Sequence, residues 1–151
     1  MADKSVKLIL CGSGDAEDYI REKQKENPNI VFKGRVDRSE ALALQKDATI
    51  LVNPRQNNED FTKYSFPSKN IEYLSSGVPT VAYKLDGIPD EYDDYIIYPT
   101  DDTTQSLCNE FFRLINMSAD ERRVMGESAK QFVYNNKNKN AQAKRIIEFL
   151  K

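Results

Sequence analysis

Residues 65–81 write loop, helix, stop and strand in that order, and this order narrows the folds open to the chain more than any other feature. Pro67 has a preset φ and no amide hydrogen to lose, which suits the first turn of a helix, and Ser65 just before it offers a hydroxyl to cap the free amides. Gly77 suits the left-handed position that ends a helix, and Pro79 forbids continuation. Thr80, Val81, Ala82 and Tyr83 have the β-branched and aromatic character of a buried strand. The spacing predicts a helix from near Pro67 to Gly77. At roughly 100° per residue, Ile71 and Leu74 fall on one side, while Ser68, Lys69, Glu72 and Ser76 fall on the other. One face packs and the other is left to meet a ligand.

The rest of the chain repeats the alternation. Residues 6–11 form a compact apolar run that ends in Gly12-Ser13-Gly14 and leads into a helical stretch at 16–26. Pro28 and Asn29 stop that helix, and 30–34 reads as a second strand. Ser39 can cap the next helix, which carries Ala41, Leu42, Leu44 and Gln45. Residues 48–53 are nearly all apolar, which predicts a third strand buried on both faces. Residues 80–83 give a fourth strand and 95–98 a short fifth. The pattern predicts a Rossmann-like, doubly wound parallel sheet of about five strands with helices on both faces and right-handed crossovers. A helical tail follows. Thr103 or Thr104 caps a helix through Ile115, Ser118 and Glu121 form a capping box for the next, and 135–140 are a polar turn. The last helix carries Ile146, Ile147, Phe149 and Leu150.

The length of 151 residues, 39% of them hydrophobic, suits one domain. The net charge of −2 is spread over interspersed acids and bases, so no basic stripe argues for nucleic acid. The chain has no histidine, which excludes a Ser-His-Asp triad, a Cys-His pair and a histidine zinc site. Cys11 and Cys108 lie far from any metal-ligand partner and point to a reduced compartment. No membrane-spanning run or signal peptide is evident. Glu17 stands where a dinucleotide fingerprint would need its third glycine, so Gly12 and Gly14 simply make a turn.

The polar face of the 67–77 helix is chemically pointed. A helix amino end attracts phosphate, and Ser65, Ser68 and Lys69 add donors there. Glu72, one turn beyond Ser68, can accept hydrogen bonds from vicinal sugar hydroxyls. Taken alone, the spacing favours Glu72 as an ordinary solvated helix residue and Pro67 as an ordinary helix start. Residues 55–63 form the longest stretch without structure signals and follow the carboxyl end of a strand, where open α/β sheets bind ligands. Arg55 and Lys63 are phosphate candidates on that ground. The turn-rich connection at 84–90 is placed to close over the same cleft.

Residues 65–81, with Gly34-Arg35-Val36 upstream, closely resemble the donor-binding half of retaining glycosyltransferases of the GT-B class, group 1 or family 4 type. In that family a two-glutamate motif precedes a helix that ends in a Gly-x-Pro-strand step. Glu72 matches the second glutamate and Phe66 the aromatic within the motif. Tyr64 stands where the first, sugar-facing glutamate would be, so that role has no matching residue and no catalytic residue carries over. The Ser-Phe-Pro-Ser-Lys wording resembles the capsule and lipopolysaccharide branch of the family.

The resemblance implies a cytoplasmic, metal-independent enzyme, peripheral at the inner face of the membrane when whole, that needs no cofactor. It would transfer a hexose, with retention, from a UDP- or GDP-linked sugar to a glycan or lipid acceptor. The implied donor site is Arg55, Lys63, Tyr64, Ser65, Phe66, Ser68, Lys69 and Glu72, with Gly34, Arg35 and Val36 against the base. The chain resembles only the second of the family's two domains. The acceptor domain and the first β-α unit, which holds the family's diphosphate-clamping Arg and Lys, have no counterpart here. The domain alone is therefore expected to bind weakly and turn over nothing measurable. The final helix crosses to the other domain in the family, which leaves local packing or a homodimer for it here. Two other readings stay open: a flavodoxin-like or receiver-like interaction module, and a nucleotide-sugar epimerase domain. The first is weakened by the lack of an acidic pair after the first strand and of a strand-end lysine, and the second would need catalytic groups from a partner domain.

Overall fold

A computed structural model of the chain describes residues 6–57 and 60–151, with Phe61 described for its backbone only. Five parallel strands are present, but they form two sheets instead of one. β1 (Leu8–Cys11) pairs with β2 (Ile30–Gly34), while β3 (Leu51–Asn53), β4 (Thr80–Ala82) and β5 (Ile96–Ile97) pair in that order. The chain accordingly divides into two compact units, residues 1–44 and 45–151.

In the first unit the register runs Leu8 with Ile30, Ile9 with Val31 and Leu10 with Phe32, then shifts so that Cys11 faces Gly34. The crossover is α1 (Glu17–Glu26), with Glu17 and Asp18 in its first turn and Lys23 and Lys25 in its last, the order that complements the helix dipole. Arg21 donates to Glu17 at 2.7 Å and lies 5.0 Å from the Phe32 ring centre. α2 (Arg38–Asp47) begins before the expected Ser39 cap. Asp37 does the capping: its carboxylate accepts from the Glu40 amide at 2.8 Å and from the Ser39 hydroxyl at 2.6 Å. An ionised oxygen is a stronger acceptor than a hydroxyl, so Ser39 becomes a donor instead. These bonds hold the Asp37 carboxyl below its usual range. Gly34, in the left-handed region at φ 65°, is the one buried residue among the described residues of this unit.

The second unit, which includes the last turn of α2, holds the core. β4 has a neighbour on each edge, and Thr80, Val81 and Ala82 are all buried. β3 pairs only with β4, so Leu51 is buried while Val52 and Asn53 are half-buried. Burial on both faces, expected for residues 48–53, thus belongs to β4. α3 (Ser68–Ser76) lies against β3 and β4 and packs on α5 (Ala119–Asn136), which follows α4 (Thr104–Asn116) in the chain. Leu74, Leu85, Ile88, Tyr92, Ile96, Phe132 and Val133 form one apolar cluster. α3 and α5 approach so closely that a Cβ on Gly126 would sit 1.9 Å from the Gly77 carbonyl oxygen.

Thr103 caps α4, accepting from the Ser106 amide at 3.1 Å, and Ser118 with Glu121 forms the expected box on α5. α5 runs further than the Asn-rich sequence suggests. Asn138 already caps α6 (Lys139–Phe149), accepting from the amides of Asn140 and Ala141. The polar turn expected at 135–140 shrinks to the joint at Lys137 and Asn138. Local packing of the α6 stripe is not found: Phe149 is 90% exposed, and Ile146, Ile147 and Leu150 are exposed with it. The helix is tied down by charge, with Glu91 accepting from Lys137 and, at 3.2 Å, from Arg145. No helix among the described residues is long and apolar enough to cross a membrane.

Candidate functional site

The candidate site in the second unit is built around the amino end of α3. A tight 3₁₀ turn at Asp60–Tyr64 fills part of the stretch that sequence leaves without structure, while Asn58 and Glu59 of that stretch lie outside the described residues. Tyr64 is 88% exposed. Lys63 is exposed, 3.7 Å from the Asp60 carboxylate, and Arg55 is half-buried.

Pro67, extended at ψ 107°, occupies the N-cap position, and Ser68 is the first helical residue. Among the described residues no side chain caps this end. The Ser65 hydroxyl, expected there, is buried instead, with no hydrogen-bond partner. The reason is the 84–90 connection, which lies hard against the Ser65 backbone. A Cβ on Gly87 would be 2.6 Å from the Ser65 carbonyl oxygen, so only glycine fits. The Phe66 ring turns toward the core, its centre 4.8 Å from that of Tyr92. Ser68 and Lys69 are exposed beside the uncapped amides.

Glu72 follows one turn later, its side chain 28% exposed. Two donors converge on one of its oxygens: Lys69 Nζ at 2.8 Å and Gln45 Nε2 at 2.7 Å, both on Oε1. Behind them Asn70 is fully buried, and its Oδ1 accepts from Asn53 Nδ2 at 2.7 Å. That bond ties the first turn of α3 to the carboxyl end of β3.

The fold thus gathers Lys63, Tyr64, Ser65, Phe66, Ser68, Lys69 and Glu72 in one segment, with Arg55 in the loop that leads to it. Gly34, Arg35 and Val36 belong to the first unit, where the Gly34 carbonyl accepts from the Gly12 amide at 2.8 Å, Arg35 is exposed and Val36 half-buried. Gln45 and Asn70 are the site residues that sequence reasoning missed. A signal for Asn70 was present: it lies four residues before Leu74 and so shares its packed face. Gln45 was read only as part of an amphipathic helix pattern.

A shallow hollow of about 240 Å³ is lined by Gly77, Val78, Pro79, Arg122 and Arg123. It lies at the amino ends of β3 and β4, whereas open α/β sheets bind ligands at the carboxyl ends. The Arg122 guanidinium there already donates to the carbonyls of Leu114, Ile115 and Met117. Its hydrogen bonds close off the C-terminal turn of α4. Among the described residues no cluster of acids and thiols is arranged to hold a metal ion.

Residues 1–117 match the family model described as glycosyl transferases group 1. In fold, the chain is similar to sucrose-phosphate synthase of Thermosynechococcus elongatus, with a TM-score of 0.68 at 20% identity over 95% of this chain and 37% of that one. It is also similar to the C-terminal domain of a group 1 family glycosyl transferase from Francisella tularensis, with a TM-score of 0.59 at 19% identity over 83% and 64% of the two chains. The chain spans less than two thirds of either structure. No curated protein sequence matches it.

Proposed function

The chain belongs to the group 1 glycosyl transferases, and on that premise we propose that it is the donor-binding domain of a retaining hexosyltransferase that uses a nucleoside diphosphate sugar. The diphosphate sits at the uncapped amino end of α3, met by the free amides, the Ser68 hydroxyl and Lys69. Glu72 accepts from the vicinal hydroxyls of the ribose. Lys63 and Arg55 supply further positive charge toward the phosphates. The acceptor, a glycan or a lipid, is bound by another domain of the whole enzyme, and so is the transferred sugar's far side.

The observation that carries this reading is Glu72: a partly exposed carboxylate, one turn into a helix whose first amides lack a side-chain cap, with one oxygen already fixed by two donors. A structural ion pair would need only Lys69. The exposed apolar side chains of β1, with Leu8 at 44% and Ile9 at 46%, support the further reading that a preceding β-α unit covers that strand in the whole enzyme. The exposed stripe of α6 supports a homodimer through that helix. Sedimentation of the chain and of Ile146→Asp tests the dimer, which the substitution should dissolve.

Amide NMR titration with UDP and GDP tests the donor site. Shifts concentrated at residues 65–72 are expected. Shifts centred on Gly77, Arg122 and Arg123 would place the ligand at the opposite end of the sheet and overturn the proposal.

A further inference from the structure

Gln45 is a neutral amide held where helix patterning would place an apolar side chain. It is 9% exposed. Its Nε2 donates to Glu72 Oε1 at 2.7 Å, while its own Oε1 is buried with no hydrogen-bond partner. The orientation is dictated by Glu72: turned the other way, the amide oxygen would face a carboxylate. A buried acceptor left unsatisfied costs stability, and an apolar side chain of the same length would avoid the cost. Packing alone therefore gives no reason for glutamine here. What the amide supplies is a fixed donor on Glu72.

We propose that Gln45 is the positioning residue of the nucleotide site, orienting Glu72 so that its carboxylate meets both ribose hydroxyls and favours ribonucleotides over nucleotides that lack them. The proposal rests on the reading of Glu72 as the pentose ligand. Lys69 touches the same oxygen, but it is 57% exposed, and an exposed lysine-glutamate pair is weakened by water, salt and side-chain freedom. Gln45 has none of those losses. Its buried bond orders Glu72 before ligand arrives, so less side-chain freedom is lost on binding. Neutrality matters as much as reach. A carboxylate of the same shape at this position would repel Glu72 and turn it out of register.

The test is an NMR titration of the full chain with UDP and with GDP, each beside its 2′,3′-dideoxy analogue. The wild type should bind the ribonucleotide about tenfold more tightly, the measure of losing a charge-assisted hydrogen-bond pair. Gln45→Met, which keeps length and volume, should bring the ribonucleotide to within about threefold of the dideoxy form while leaving the dideoxy affinity unchanged. Gln45→Glu should lose the preference as completely. In the wild type the Gln45 side-chain amide resonances should shift with the ribonucleotide and stay still with the analogue, a readout that needs no variant to fold. Equal weakening of both ligands in Gln45→Met, an intact tenfold preference, or motionless Gln45 resonances would overturn the positioning role. A wild type that does not distinguish the two ligands would instead remove Glu72 as pentose ligand, and Gln45 with it. The wild-type comparison alone tells the two failures apart.

Discussion

The two units are made from the same parts, parallel strands joined by helices, and differ in what those parts bury. Among the described residues of the first unit only Gly34 is buried, and β1 leaves Leu8 and Ile9 nearly half exposed. In the second, Leu74, Val81 and Leu114 are wholly buried. A parallel sheet is stable when helices cover both faces. One strand-helix-strand unit cannot do that for itself, whereas three strands and three packed helices can. The consequence reaches the site. Glu72 stands on a helix anchored by Asn70 and Leu74, so its carboxylate is held by rigid surroundings, while Arg35 is exposed in a unit with little core. Under the proposed reading, Glu72 is preorganised for the pentose it grips.

The contrast breaks most sharply under cavity formation. Leu74→Ala should destabilise the chain by about 4 kcal/mol, because it empties a fully enclosed site. Ile9→Ala in β1 should cost less than about 1 kcal/mol. Thermal or denaturant unfolding of the two variants checks the pair, and equal losses would mean that β1 contributes as much core as α3. Overpacking comes next. Gly126→Ala drives a methyl group into the Gly77 carbonyl and should cost about 3 kcal/mol, while Gly14→Ala, which meets nothing within 4 Å, should change stability by less than about 0.5 kcal/mol.

Hydrogen exchange sharpens the same comparison without mutation. The amides of Ile9 and Leu10 should exchange roughly a hundredfold faster than that of Val81, since the first unit buries little that would resist opening. The smallest effect concerns α6. The Lys137 and Arg145 hydrogen bonds hold the Glu91 carboxyl below its usual range. A depressed carboxyl contributes stability at neutral pH, and that contribution is lost as pH falls through its folded-state value. Glu91→Gln should therefore cost about 1 kcal/mol at pH 7 and almost nothing in acid below the Glu91 titration. A pH series of unfolding midpoints checks it.

Much of this was legible in the residues. Pro67, Gly77 and Pro79 delimit α3 correctly because they act through backbone geometry that tertiary packing rarely overrides. The Ser118 and Glu121 box reads as directly. What failed did so where another residue took the expected role or closed over it. Ser65 was expected to cap α3, but Gly87 packs over it. Ser39 was expected to cap α2, but Asp37 is the better acceptor. The five parallel strands were legible, whereas their division into two ladders was not, because pairing between strands is a long-range choice that no local pattern records. Gln45 and Asn70 escaped notice because their partners lie 27 and 17 residues away. The placement of Glu72 one turn into the helix was readable, whereas the uncapped start and the second donor that fixes its carboxylate were not.

The central claim is that Glu72 grips the pentose of a bound nucleotide, and saturation-transfer NMR with UDP and GDP on wild type against Glu72→Ala tests it most directly. Strong transfer to the ribose protons in the wild type, with most of it lost in the variant while the folded spectrum is kept, is the predicted result. Equal transfer in both proteins would contradict it.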